Sequence, residues 1–323
     1  MVSFREKLMQ GLTELGYGVA FDLADLPYST ILVIGGTRNL VGLWRAKNRG
    51  VRIVQRLDGM NWIHRKRRTG WRHYLRAEYG NIILSIIRSH LADQIIYQSI
   101  FSQQWWERIY GPGKTAWRVV YNGVDLERYS PIGDGKIPED SKRILLVEGS
   151  IAGGYEWGLE TAVQMAESLG LQYDYKIELQ VVGRVAESLQ RVITQKTQLK
   201  ISFTGEVPAR KIPEFDRSAH VLYAADVNAA CPNSVIEALA CGLPVVAFDT
   251  GALSELLTSD SGRLTPYGGD PWNLDPPDIK QLAEAANYVI HNQTAFRQAA
   301  RKRAEEAYGL DQMVKGYLDV LNL

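Results

Sequence analysis

Apolar residues recur along this chain in two rhythms. At Phe4, Leu8, Leu12 and Leu15 they fall three or four residues apart, the spacing of one helix face, and Gly16 ends the run. Short β-type runs at Val19–Phe21, Ile31–Ile34, Val51–Leu57, Gln94–Tyr97 and Trp117–Tyr121 predict strands. Helical spacing between them predicts helices over Leu40–Asn48, Tyr74–His90 and Phe101–Tyr110. After a turn-rich stretch, Ser130–Ser141, the rhythm restarts. Strands are expected at Ile144–Val147, Ile177–Val182, Leu199–Phe203, Val221–Ala224 and Val245–Phe248, with helices such as Leu159–Leu169 and Val185–Lys196 between. The tail from Pro277 to Leu323 reads as three helical runs broken at Asn292 and Gly309. Alternating strand and helix imply α/β architecture with mostly parallel, doubly wound sheets. Two Rossmann-like domains are expected, residues 1–135 and 136–308, with the last helix, 309–323, packing back on the first.

Composition changes this picture little, but charge changes it more. A hydrophobic content of 46% and a charged content of 23% are those of an ordinary globular protein. Residues 1–140 carry 20 Lys and Arg against 13 Asp and Glu, and the remainder carries 17 against 23. The net values, +7 and −6, give the halves different partners to attract. The two cysteines, Cys231 and Cys241, have no spacing of a disulfide framework or zinc site. The opening MVSFREKL is not the pattern of a secretory leader, and no apolar run approaches the roughly 20 residues of a membrane span. A cytoplasmic location is the expectation, with peripheral contact at the inner membrane face as one further reading.

The chain's chemistry centres on Asp226–Leu257, DVNAACPNSVIEALACGLPVVAFDTGALSELL. A tight loop (Cys231, Pro232, Asn233, Ser234) opens into an apolar helix from Val235 to Cys241, stopped by Gly242 and Pro244. A loop feeding a helix N-terminus presents free N–H groups and the positive end of the helix dipole, a seat for phosphate. Glu237 is placed in the first turn, where it could accept hydroxyls from a ligand. Ser234 and Glu237 also fit the S-x-x-E capping box, in which the two side chains only satisfy backbone donors.

A glycine-rich turn, Gly149, Ser150, Ile151, Ala152, Gly153 and Gly154, follows the second half's first strand. It does not match G-x-G-x-x-G. It is either a ligand loop at a strand's carboxyl end or a simple connection. Asp58, in the segment Arg56–Gly59, is either an Asp-Gly turn or a group presented at a strand end. The stretch His64–Arg76 has six Lys and Arg and no acid, with Trp62, Trp71 and Tyr74 nearby. It reads as a surface for anionic membrane, as a site for an acidic acceptor contacting His64, Arg65 and Lys66, or as a solvated face. No nucleic-acid module accompanies it. Trp105 and Trp106 read as packing residues. The five histidines form no spaced metal set.

The string CPNSVIEALACGLPVV resembles the donor-binding segment of glycosyltransferase family 4 (group 1), retaining sugar transferases of the GT-B fold. Looser resemblance extends over residues 51–59 and 117–129, including YNGVD at Tyr121–Asp125. The resemblance implies a nucleotide diphosphate sugar, UDP-linked by expectation, bound by the second domain without metal or cofactor. Donor contacts are implied for Gly149, Ser150, Gly153, Gly154, Arg184, Glu206, Pro232, Asn233, Ser234, Val235 and Glu237, with Glu237 on the ribose. Asp58 and Asn228 are placed nearest the chemistry. The implied mechanism has no protein nucleophile: helix dipole and backbone donors stabilise the leaving diphosphate, and the acceptor attacks from the same face.

Three departures stand out. The family's arginine in the glycine loop and the lysine before the next helix are absent, since Glu148–Ile151 and Trp157–Gly158 contain no base. Arg184, Arg210 and Lys211 are the alternatives. The first of two family glutamates is replaced by Ala229. The family's opening β-strand does not appear before the first helix, so either it lies upstream of an assigned start or the first domain lacks it. The expected activity is sugar transfer to a lipid-linked or glycan acceptor. The alternatives are a nucleotide-sugar binder without transfer activity and a GT-B-like nucleotide-sugar epimerase.

Overall fold

A computed structural model describes residues 4–323, which divide into two compact units. The first is residues 4–123 with Leu310–Leu323, and the second is Val124–Gly309. The division therefore falls ahead of the turn-rich stretch, not at residue 135, and the last helix belongs to the first unit.

In the first unit α1 (Phe4–Glu14) precedes β1 (Thr30–Ile34), α2 (Leu40–Asn48), β2 (Arg52–Leu57), α3 (Trp71–Ile86), β3 (Gln94–Tyr97), α4 (Ile100–Tyr110) and β4 (Ala116–Val119). The four strands pair in chain order and in parallel. β2 is buried from Ile53 to Leu57, as a central parallel strand covered on both faces must be. On one face Leu8, Leu12, Val54 and Ile96 pack with Met313, Val314 and Tyr317 of α12 (Leu310–Leu321). On the other, Val33, Leu43, Ile53, Ile83 and Ile87 form a second cluster. Helices cover both faces, so this sheet is doubly wound.

One expected strand does not form. Val19–Phe21 is irregular, with Val19 and Phe21 exposed. Its apolar run is three residues long, Gly16 and Gly18 precede it and Asp22 ends it, leaving too little apolar surface to join a sheet. The segment instead walls a cavity of about 740 Å³ against α1 and β1.

The second unit contains β5 (Lys142–Ile151), α5 (Glu156–Tyr173), β6 (Ile177–Val185), α6 (Glu187–Lys196), β7 (Lys200–Gly205), α7 (Ile212–Ser218), β8 (Val221–Tyr223), α8 (Asn233–Ala240), β9 (Val245–Phe248), α9 (Leu253–Leu256), β10 (Gly262–Thr265), α10 (Ile279–His291) and α11 (Gln293–Ala307). Its sheet is wholly parallel in the order β10-β9-β8-β5-β6-β7. The chain builds outward from β5 through β6 and β7, then returns to lay β8 on the other side of β5. Order reverses between β5 and β8, which is where open α/β sheets bind ligands, outside the strands' carboxyl ends. Leu146, Met165, Leu179, Tyr223, Phe248 and Val289 lie in the core on one side, and α11 packs on α8.

Candidate functional site at the carboxyl ends of β5, β6 and β8

The loops at the switch point meet backbone to backbone because two residues lack side chains. Gly183 has φ +131°, and a Cβ there would lie 1.6 Å from the Glu148 carbonyl oxygen. β5 bulges between Val147 and Ser150, and β6 follows that bulge because Gly183 lets it approach. Gly251 has φ +63°, and its Cβ would lie 2.6 Å from both the N and O of Ala229. This contact, with the bond from Ala252 N–H to the Ala229 carbonyl at 2.9 Å, fixes the loop that leads into α8.

The glycine-rich turn is shorter than its sequence suggests. Gly149, Ser150 and Ile151 continue β5, with Ser150 opposite Arg184, and the turn proper holds Gly153 and Gly154. Gly149 and Ser150 are exposed on that extended strand.

The capping box does not form. Pro232 occupies the N-cap position of α8, no side chain caps the helix, and Ser234 is a buried second residue within it. The first N–H groups of α8 are therefore left without a side-chain cap, which suits an anion. Glu237 lies beyond the first turn and is fully buried. Its charge is felt by Asp216, whose carboxyl is raised well above its ordinary range by burial first and by Glu237 second. Burial, then Glu237, likewise raises the Tyr129 hydroxyl. Glu237 is thus within electrostatic reach of Tyr129, Asp216 and Cys241.

Two carboxyls face the crevice that the motif reading did not assign. Glu148 ends the buried part of β5 and Asp226 follows β8, and both are half-buried. Burial raises Glu148 to about 8, with Asp226 as the second cause, and burial raises Asp226 to about 7. Burial and these same two acids also raise the Tyr155 hydroxyl. The signal in the sequence was an acid at the carboxyl end of each strand. Seeing them as a pair required knowing that β5 and β8 are neighbours. Asn228 beside them has φ +60° and is buried. Its N–H lies 3.4 Å from the Thr250 hydroxyl, and its side-chain Nδ2 has no hydrogen-bond partner among the described residues. Arg184 and Glu206 form an exposed ion pair at 2.7 Å, and Lys211 pairs with Glu214.

In the first unit Asp58 lies at the carboxyl end of β2. Its carboxylate accepts from Arg56 and Gln98, and its carbonyl accepts from the Trp106 indole at 2.8 Å. Arg56 also donates to Asn122 at 2.9 Å and stacks over Phe4. Trp105 and Trp106 are buried, as packing residues should be.

His64 is buried, whereas Arg65 is exposed but already paired. His64 is buried with Nε2 2.8 Å from Glu78, and Arg65 holds both Glu78 oxygens, at 2.5 and 2.8 Å. The basic stretch has no acid of its own, but the next turn of α3 supplies one. Lys66 remains exposed. The Arg65 bond, then the His64 bond, hold the Glu78 carboxyl down at about 2 against the opposing effect of burial. A depressed carboxyl stabilises the fold above its ordinary range, and that contribution is lost as pH falls through about 2. Glu78→Gln is expected to lower unfolding free energy by about 1 kcal/mol at neutral pH, since the partners are partly exposed and screened. The difference should shrink as urea titrations are repeated toward pH ~3.

Residues 142–292 match the family model described as Glycosyl transferases group 1. A GDP-mannose-dependent alpha-mannosyltransferase of Mycobacterium tuberculosis is 25% identical over 181 residues, which are 56% of this chain and 44% of that protein. An uncharacterized glycosyltransferase of Methanocaldococcus jannaschii is 23% identical over 226 residues, 64% of this chain and 54% of its own. The chain spans about half the length of the curated relatives it matches. Among solved structures, sucrose-phosphate synthase from Thermosynechococcus elongatus superposes with a TM-score of 0.72 at 16% identity, over 99% of this chain and 78% of that one. Anabaena HepE, in complex with UDP-glucose, gives 0.64 at 17% identity over 90% and 78%. At these identities the structural likeness is one of fold.

Proposed function

We propose that the chain transfers a sugar from a nucleotide diphosphate sugar to an acceptor hydroxyl with retention and without metal, since residues 142–292 match the group 1 glycosyltransferase family model and the fold is GT-B. The observation that carries this reading is the uncapped N-terminus of α8 at the switch point of the second sheet. UDP is the favoured nucleotide, since it and UDP-glucose occupy HepE, while the mannosyltransferase relative is named for GDP-mannose.

No base stands in the β5–α5 loop, and backbone donors are therefore assigned the charge on the leaving diphosphate. The N–H groups of Asn233, Ser234 and Val235 at α8, and the chain at Gly153 and Gly154, are assigned that role. Glu148 and Asp226 do not oppose it while they hold protons. Asn228, with its unsatisfied amide, is assigned to the donor's sugar side. Asp58 is assigned to the acceptor side. The acceptor is read as lipid-linked or glycan, and the basic surface of the first unit as a peripheral membrane contact.

Incubation with UDP-sugars, followed for UDP release and the anomeric configuration of the product, tests this reading. Retained configuration at an undiminished rate in EDTA is expected. Donor binding without hydrolysis or transfer would make the protein a nucleotide-sugar binder, and an altered sugar on intact nucleotide would make it an epimerase.

A further inference from the structure

The outward face of α3 is apolar where a helix on a water-soluble sheet should be polar. Trp71, Leu75, Tyr79, Ile82 and Ile86 are 69%, 58%, 48%, 50% and 37% exposed. They follow one another at steps of four, four, three and four, so they fall within an arc of about 80° on one side of the helix. The opposite side, with Ala77, Asn81 and Ile83, is buried on the unit. A row of five large apolar side chains, with Tyr74 beside it, is a patch that isolated exposed residues do not make.

Cations border this row. Arg72 and Arg76 lie along one side of it, and Lys66, Arg67 and Arg68 are exposed just before the helix. The Arg72 guanidinium sits 5.3 Å from the Trp71 ring. The one acid of the helix, Glu78, is already held by Arg65 and His64. The half of the sequence that carries this helix has the chain's positive excess.

We propose that the first unit docks on an anionic bilayer through this face, with α3 lying along the interface. The apolar row enters the boundary between headgroups and acyl chains, and the five cations sit over anionic headgroups. The 16-residue helix then lies flat over about 24 Å. Charge selects this occupant over a second copy of the chain. A two-fold contact through the same face would bring both sets of cations together, and nothing acidic on the face could offset them. The value of such docking to a lipid-borne acceptor rests on the function proposed above, but the binding itself does not.

The test is co-sedimentation with vesicles of phosphatidylcholine alone and with about one-third phosphatidylglycerol added. Binding is expected on the anionic vesicles only, and it should weaken as salt is raised. Leu75→Ser with Ile82→Ser should lower the partition coefficient by on the order of 100-fold. Arg72→Glu with Arg76→Glu should lower it by on the order of 10-fold or more. All four side chains are exposed, so both variants should melt as the parent does and bind UDP-sugar equally well, which separates this outcome from failure of the transferase reading. The proposal is overturned by absence of vesicle binding, or by binding that the Leu75/Ile82 variant retains. It is also overturned if the parent is a dimer in sedimentation equilibrium and the variant a monomer, since the face would then be a self-association surface.

Discussion

Gly183→Ala is expected to destabilise the second unit by about 3–5 kcal/mol and to abolish measurable donor binding. Two costs add. At φ +131° an alanine is held in backbone conformation that is nearly reserved for glycine. Its Cβ would also lie 1.6 Å from the carbonyl oxygen of Glu148, and backbone cannot rotate aside as a flexible side chain can. Either β6 or the bulge of β5 must therefore move. Both end at the crevice, so the movement displaces Glu148, Ser150 and Arg184 together. Gly149→Ala is the matched control, because nothing lies within 4 Å of its Cβ and its φ is not positive. Its stability should stay within about 0.5 kcal/mol of the parent. Urea denaturation read at equilibrium compares the two. Equal midpoints for Gly183→Ala and the parent would show that the β5–β6 contact is soft and does not hold the site's shape.

Most of the scaffold was legible because it rests on local pattern. Continuous burial of Ile53–Leu57 and helical spacing through α5 and α10 place strands and helices without reference to the rest of the chain. Failures came where pairing partners decide. Val19–Phe21 has strand-like residues but no strand to join, whereas Gly262–Thr265, which the apolar pattern does not single out, pairs with β9 as β10. Ser234 and Glu237 match a local capping pattern that Pro232 pre-empts by starting the helix one residue before the serine. Full burial of Glu237 is set by packing in the folded unit, and no spacing rule reveals it. The loop-to-helix turn at α8 was readable, since loop, helix start and stop signals are contiguous. The basic stretch misled in part: its first two members are consumed by Glu78, and the apolar row beside the others appears only when α3 is wound at 3.6 residues per turn.

Stability and donor affinity should both fall as pH rises above neutrality, through Glu148 and Asp226. Burial raises both carboxyls, so between the ordinary carboxylate range and about 8 the folded protein holds protons that the unfolded chain has released. The slope of unfolding free energy with pH follows the protons bound unfolded minus those bound folded, and that difference is negative here. The contribution is complete below the unfolded carboxyl range and is lost as pH rises through about 7 to about 8. His220 acts in the other direction at lower pH: burial holds it down at about 4, so its share of stability is lost as pH falls toward that value. Measurements above pH ~6.5 therefore isolate the acids. For the donor the consequence is electrostatic. A protonated pair beside the α8 N-terminus leaves the diphosphate only partial positive charges to meet, whereas an ionised pair sets like charge against it in a half-buried crevice. Affinity for UDP should weaken on the order of 10-fold between pH ~6.5 and ~9. The double substitution Glu148→Gln and Asp226→Asn retains the shapes and cannot ionise, so its affinity and melting temperature should be nearly flat over that range and exceed the parent's at the alkaline end. Calorimetric titration of both proteins with UDP at three pH values decides it: parallel slopes would assign the pH dependence to the nucleotide or to other groups and would remove this pair from the donor site.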